Sequence, residues 1–264
     1  MQIMINGKLY PQNQAKISVL DHGLTIGDGI FETLRTNNNE IHKFNEHYAR
    51  LQHSARAIKL PIKITKQQLK QQIQATLKAN HLNQARIRVT ITRGIGPAGL
   101  STNCHNQSII ITASKLKKMP KTGIKAITTN LHLSNPEIKS LSYLPNVLTN
   151  QKARQQKAIE ALLINNNQQA TEGSFSNLFI VHNNTLITPK EKILKGITRQ
   201  EVIALAINNN IKTKETTITK KQLEQADEIF ITFTTQGIIP ITQLNKRKLP
   251  VGNITKKLIA EYEN

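Results

Sequence analysis

The stretch Arg86-Ile87-Arg88-Val89-Thr90-Ile91-Thr92 alternates polar and apolar side chains strictly, the period of a strand with one buried face. Close by are stretches of a different period. Tyr48, Leu51, Ala55 and Ile58 keep a helical spacing after Asn45, expected to cap that helix, and Leu69, Ile73 and Leu77 mark a second amphipathic helix. Phe31 to Thr36 reads as a strand, Asn37-Asn38-Asn39 as a turn and Glu40 to Lys43 as the returning strand. Ile109-Ile110-Ile111 is expected to partner the strand at 86–92. Lys115 to Gly123 is basic, carries Pro120 and Gly123 and has no period, the mark of a linker. Beyond it lie strand signals at Ile124–Thr129, Ala161–Ile164, Asn177–Val181 and Glu228–Thr234. Helix signals fall at Pro145–Ala158, from Thr198, after Thr219 and from Asn253. Strands and helices interleave without a regular βαβ rhythm, which predicts an α+β protein of two units with mostly antiparallel sheets. The expected domains are 1–116 and 123–264, joined by a linker at 117–122.

The 264 residues carry 36 Lys and Arg against 16 Asp and Glu, a net charge of +20. Such a balance invites a nucleic-acid reading. The cations, however, are spread along the whole chain, tryptophan is absent and aromatics are 4%, so neither a basic face nor a stacking platform is evident. A nucleic-acid-binding module stays the remote alternative to a basic enzyme that handles anionic small molecules. No apolar run approaches the roughly 20 residues of a membrane helix, and no secretory signal is visible at the start. The single cysteine, Cys104, cannot form an internal disulfide. A cytoplasmic protein is expected.

Familiar motifs fail on context. Gly94-Ile95-Gly96-Pro97-Ala98-Gly99 has the spacing of a dinucleotide fingerprint. The fingerprint needs a helix and a carboxylate after the glycines, and here the chain enters a polar loop with no acidic residue before position 120. His42, His47, Cys104 and His105 lack the spacing of a zinc site, and there is no G-x-S-x-G elbow. Four other stretches carry chemistry. Glu46-His47-Tyr48-Ala49-Arg50-Leu51 puts His47 and Arg50 one helical turn apart. Ile138-Lys139-Ser140-Leu141-Ser142-Tyr143 sets a lysine where an extended segment gives way to a helix. Ala170-Thr171-Glu172-Gly173-Ser174-Phe175 holds a lone carboxylate before an apolar strand. Leu194-Lys195-Gly196-Ile197-Thr198 opens a helix whose free N–H groups suit an anion.

In order and wording these stretches resemble the class-IV aminotransferases, the fold-type-IV pyridoxal 5'-phosphate enzymes. The likeness runs from Asp21-His22-Gly23 and Gly27-Asp28-Gly29-Ile30-Phe31-Glu32-Thr33 to Ala226-Asp227-Glu228-Ile229-Phe230 and Gly237-Ile238-Ile239-Pro240. The resemblance implies a two-domain fold like that of D-amino-acid aminotransferase, with the cofactor in the interdomain cleft, and a homodimer. It implies Lys139 as the amine that holds the cofactor and later moves a proton, and Glu172 as the partner of its ring nitrogen. Arg50, Ile197, Thr198 and Thr234 match the phosphate site, Leu194 the residue against the ring, and Tyr143 a tyrosine that bonds the ring hydroxyl. Phe31, Arg93, Thr235 and Gln236 are the corresponding substrate-side candidates, for a small amino substrate bearing a carboxylate.

The reaction divides two ways. Thr33, after Phe31-Glu32, resembles the proton-transferring threonine of 4-amino-4-deoxychorismate lyases, which release p-aminobenzoate and pyruvate in folate biosynthesis, and Thr92-Arg93-Gly94-Ile95-Gly96 looks like their loop. Ala98 replaces that loop's later arginine. Tyr143 and Thr234-Thr235 are more like the transaminases, although the arginine and histidine that hold substrate carboxylate in the D-amino-acid enzymes are missing. The expectation is the lyase, with a D-amino-acid or branched-chain transaminase as the alternative.

Overall fold

The computed structural model describes residues 1–37, 40–119, 121–130 and 135–263. The expected turn residues Asn38 and Asn39 and the linker residue Pro120 lie outside the described residues. The chain divides into two compact units. One is Met1–Lys117 with Ile138–Tyr143, the other Lys118–Glu137 with Leu144–Asn264. The short segment carrying Lys139 thus packs with the first unit, although it follows the linker in sequence.

The first unit holds β1 (Gln2–Ile5), β2 (Lys8–Pro11), α1 (His22–Thr25), β3 (Gly29–Asn37), β4 (Glu40–Ile41), α2 (Phe44–Ala57), α3 (Lys66–Ala79), β5 (Ala85–Thr92) and β6 (Ile109–Lys115). Its six strands form one antiparallel sheet in the order β2-β1-β6-β5-β3-β4. Alternation decides which side chains go where. Ile30, Leu34, Ile87, Val89, Ile91 and Ile111 point to one face and are buried with Leu51 of α2 and Leu69, Ile73 and Leu77 of α3. The opposite face carries Phe31, Thr33, Arg86, Arg88 and Thr90, with Thr33 opposite Arg88 and Phe31 opposite Thr90. Helix α3 begins with a capping box, Thr65 and Gln68 each accepting the other's backbone N–H. Asn45 is not the cap of α2. The helix starts at Phe44, after Lys43 in the left-handed region (φ 49°), and no side chain caps it. Burial of Phe44 sets that start instead of a local cap.

The second unit holds β7 (Ile124–Asn130), α4 (Leu144–Gln155), β8 (Glu160–Ile164), β9 (Gln169–Gly173), β10 (Asn177–His182), β11 (Thr185–Thr188), α5 (Ile197–Asn208), β12 (Thr213–Glu215), β13 (Ile218–Thr219), α6 (Lys220–Gln225), β14 (Glu228–Phe233), β15 (Gly237–Leu244), β16 (Arg247–Lys248) and α7 (Asn253–Glu263). The path β10-β14-β15-β7-β8-β9 closes on itself because Glu172 of β9 pairs with Asn177 of β10. Ile124, Leu162, Leu178, Ile180, Ile229, Ile231 and Ile239 form one core cluster. Phe179 and Phe230, stacked at 4.8 Å, alternate with these and pack with Val202 of α5 and Leu258 of α7. Burial on both faces explains why β10 and β14 read as apolar runs rather than alternations. Pairing is mostly antiparallel, but β7 runs parallel to both β8 and β15, and β7-α4-β8 is a crossover unit.

Candidate functional site

In the first unit the segment 138–143 is stitched to the end of β3. The Phe31 N–H donates to the Lys139 carbonyl (2.9 Å), the Leu141 N–H to the Gly29 carbonyl (2.9 Å) and the Lys139 N–H to Ser54 Oγ on α2 (3.2 Å). Backbone bonds therefore fix where the lysine leaves the chain. Its ammonium stands 4.5 Å from the centre of the Phe31 ring, the Arg88 guanidinium carbon 3.8 Å from the same centre, and Tyr143 meets that ring edge-on at 5.2 Å. Arg88 is half-buried and bonds Thr90 Oγ1 through Nε (3.2 Å), with no carboxylate paired to it among the described residues. Burial, with Arg86 adding repulsion, lowers its proton affinity; Tyr143 opposes this.

On the other face of β3, Glu32 is buried beneath α2. Its Oε1 accepts from Arg50 Nε (2.7 Å) and its Oε2 from Arg50 Nη2 (2.8 Å) and from His47 Nδ1 (2.8 Å). Burial alone would raise this carboxyl, but the bidentate guanidinium and the imidazole hold it well below the usual carboxylate range. His47 has its proton affinity lowered. Burial pushes its pKa down, the bond to Glu32 resists, and the nearby Arg50 and Lys139 charges push further down. With Nδ1–H on Glu32, His47 Nε2 is buried without a hydrogen-bond partner.

In the second unit Glu172 ends β9 and is also buried. Its Oε2 accepts the Leu194 N–H (2.9 Å) and, more loosely, Asn177 Nδ2 (3.5 Å), which also donates to the Leu194 carbonyl (2.8 Å). Two residues on, Gly196 opens α5 with no side-chain cap, leaving the first N–H groups at Ile197 and Thr198. A methyl group on Gly196 would lie 1.9 Å from Asn177 Oδ1, so any larger residue must push the Asn177 side chain out of its place. Thr234, Thr235 and Gln236 form the half-buried turn between β14 and β15. This unit offers a held carboxylate and an anion-ready helix start, the chemistry that a protonated ring nitrogen and a phosphate require.

Two substrate-side expectations meet other partners. Arg93 is committed to structure, with Nε and Nη2 on Asp28 (2.5 and 3.1 Å) and further bonds to the Ile58 and Lys59 carbonyls (2.8 and 3.1 Å). The loop it opens must be anchored against the buried face, which the alternation after Thr92 does not reveal. Gln236 ties down the linker, its Oε1 accepting the Met119 N–H (2.7 Å) and its carbonyl the Lys121 ammonium. Glu32, Asn177 and Arg88 received no role from the sequence. An acidic residue on the inward register of β3, between Ile30 and Leu34, is the signal for the first. The Phe31–Thr33 register carried across to β5 is the signal for the last. The glycines at 94–99 lie in a loop that Ile95 bridges to His105 and Asp21, with no helix opening there.

The family model for amino-transferase class IV matches residues 29–244. The chain is 38% identical to a protein named putative branched-chain-amino-acid aminotransferase from Methanocaldococcus jannaschii, over 100% of this chain and 96% of that one. It is 32% identical to a D-alanine aminotransferase of Bacillus licheniformis, with the same coverage. The crystal structure of the branched-chain aminotransferase from Thermoproteus uzoniensis with norvaline superposes with a TM-score of 0.94 at 30% identity, covering 100% of this chain and 93% of that one.

Proposed function

We propose, on the premise that this chain belongs to the class-IV aminotransferase family, that it is an aminotransferase acting first on branched-chain L-amino acids. Enzymes of this family use pyridoxal phosphate, which when bound is an electron sink for the bond broken at the substrate α-carbon. The chain's residues fit that group. Lys139 supplies the amine that holds the cofactor and then carries the proton from the α-carbon. Glu172, its Oε2 already oriented by the Leu194 N–H, keeps the ring nitrogen protonated. By the family likeness, the N–H groups of Ile197 and Thr198, the hydroxyl of Thr234 and the Arg50 guanidinium would take the phosphate. Leu194 would pack on the ring and Tyr143 would bond its hydroxyl.

The reading is carried by the Lys139 ammonium, the Arg88 guanidinium and Tyr143 grouped around the Phe31 ring. An apolar ring thus stands against Arg88, with which no carboxylate pairs among the described residues. That suits a substrate with an apolar side chain and a carboxylate. Thr33, which motivates the lyase, stands on the same face, but the relatives from Methanocaldococcus jannaschii and Bacillus licheniformis are named aminotransferases and favour transfer over elimination.

A panel of D- and L-amino acids, each with 2-oxoglutarate or pyruvate as acceptor, should be run beside p-aminobenzoate release from aminodeoxychorismate. Transfer from L-valine, L-leucine and L-isoleucine with no p-aminobenzoate is expected. Fast p-aminobenzoate release with negligible transfer would overturn the reading, and a preference for D-alanine would move it to the D-amino-acid enzymes.

A further inference from the structure

Glu160, the first residue of β8, has no accessible surface, and no cation pairs with it among the described residues. Its neighbours are all donors. Oε1 accepts the Ala161 N–H (2.8 Å), the Ser174 N–H (2.8 Å) and the Ser174 hydroxyl (2.5 Å). Oε2 accepts the Ser176 hydroxyl (2.7 Å) and, at longer range, the Phe175 N–H (3.4 Å). Burying an ion is costly, and an apolar side chain would fill the same space without that cost. What a carboxylate adds is the convergence of several donors on two oxygens.

All of these donors but the Ala161 N–H, which is on β8 itself, belong to the turn between β9 and β10. Glu172 lies just before it and Asn177 just after, the two paired across the hairpin. A methyl group on Gly173 would lie 2.6 Å from Glu160 Oε2 and 2.3 Å from Ser176 Oγ. The carboxylate therefore rests directly against the backbone just beyond Glu172. Helix α4 holds the same turn from outside, Asn146 donating to the Ser174 carbonyl (2.8 Å) and Asn150 to the Ser174 hydroxyl oxygen (3.2 Å). Since the Ser174 hydroxyl proton points to Glu160, its lone pair is what Asn150 meets.

We propose that Glu160 is a positioning residue for Glu172, fixing through Ser174 and Ser176 the turn that sets how the Glu172 carboxylate is presented. This rests on the reading of Glu172 as the ring-nitrogen partner of pyridoxal phosphate. Glutamine at position 160 keeps the shape but must turn an amide NH2 toward donors on one side. The turn is then expected to rearrange while the sheet persists.

The test is a double-mutant cycle on the cofactor-free full chain. Its probe is 4'-deoxypyridoxine phosphate, which has the ring nitrogen and the phosphate but no carbonyl for a lysine, and binding is followed by fluorescence. Glu160→Gln should weaken binding about tenfold alone, yet less than about twofold when Glu172→Gln is already present, because the two act as one unit. Ser176→Ala, which leaves the carboxylate in place, should repeat the pattern at about threefold and serves if Glu160→Gln does not fold. Equal weakening in both backgrounds would reduce Glu160 to general stability and overturn the proposal, as would no weakening at all. If the wild-type chain binds neither the probe nor pyridoxal phosphate, the cofactor reading itself falls and carries this proposal with it.

Discussion

Glu32 shows how far a single position in a strand can be read. Alternation in β3 puts it on the buried face, and a buried acid demands either a cation or several converging donors. That the cation is Arg50, which the family likeness assigns to phosphate, depends on α2 lying across β3 and is not legible in spacing. Because its folded-state affinity for protons is depressed, the ionised Glu32 contributes stability that is present above about pH 4.3. That contribution is lost as the pH falls toward the folded value. Glu160 has the opposite sign: burial raises its pKa against the serine bonds, so its contribution is present at low pH and lost as pH rises. Urea midpoints from pH 7 to 3 should therefore show an acid branch that Glu32→Gln flattens; an unchanged branch would contradict the Glu32–Arg50 assignment. Arg50→Ala should cost about 3–5 kcal/mol at pH 7 by leaving Glu32 unpaired, and should weaken cofactor binding as well. Glu172→Gln should leave the fold intact and slow turnover about ten- to a hundredfold, the scale of one hydrogen bond to a charged group. If both variants lost only affinity, the separate roles would be wrong.

Among the elements, long periodic ones were legible and short or closed ones were not. The helices at 44–57 and 66–79 and the strands at 29–37 and 85–92 follow from spacing. The β1–β2 hairpin is too short for alternation, although its turn is Asn6-Gly7 with positive φ at both residues, a strong hairpin signal. Glu172 and Asn177 pair across one turn, but the closure of the second sheet also needs β9 on β8 and β10 on β14, which no local pattern shows. The Leu194 N–H bond then ties Glu172 to the loop that opens α5. That opening is testable. Gly196→Ala would drive a methyl into Asn177 Oδ1 and should cost about 1–3 kcal/mol as an overpacking change. It should also loosen the phosphate site, seen as a higher Kd for pyridoxal phosphate. A variant with wild-type stability and affinity would show that Asn177 moves aside freely.

For the whole molecule, the two-unit α+β organisation came from the basic, aperiodic linker and the interleaved signals. The return of residues 138–143 to the first unit did not, since it rests on backbone bonds to β3 and α2. Val19, Leu20 and Leu24 lie close together in the sequence of the first unit and are each more than half exposed. With the family likeness they predict a homodimer. Sedimentation should give twice the mass of 29.6 kDa, and Val19→Glu with Leu20→Glu should shift it toward the monomer; a wild-type monomer with full activity would contradict this. Lys139 is expected to hold pyridoxal phosphate so that the chain exchanges amino groups. The direct measurement is borohydride reduction of the cofactor-loaded protein, then peptide mass analysis. Loss of the visible absorbance and a pyridoxyl adduct on the peptide containing Lys139 are expected, both absent in Lys139→Ala. An adduct on another lysine, or a wild-type protein that takes up no pyridoxal phosphate, would contradict it.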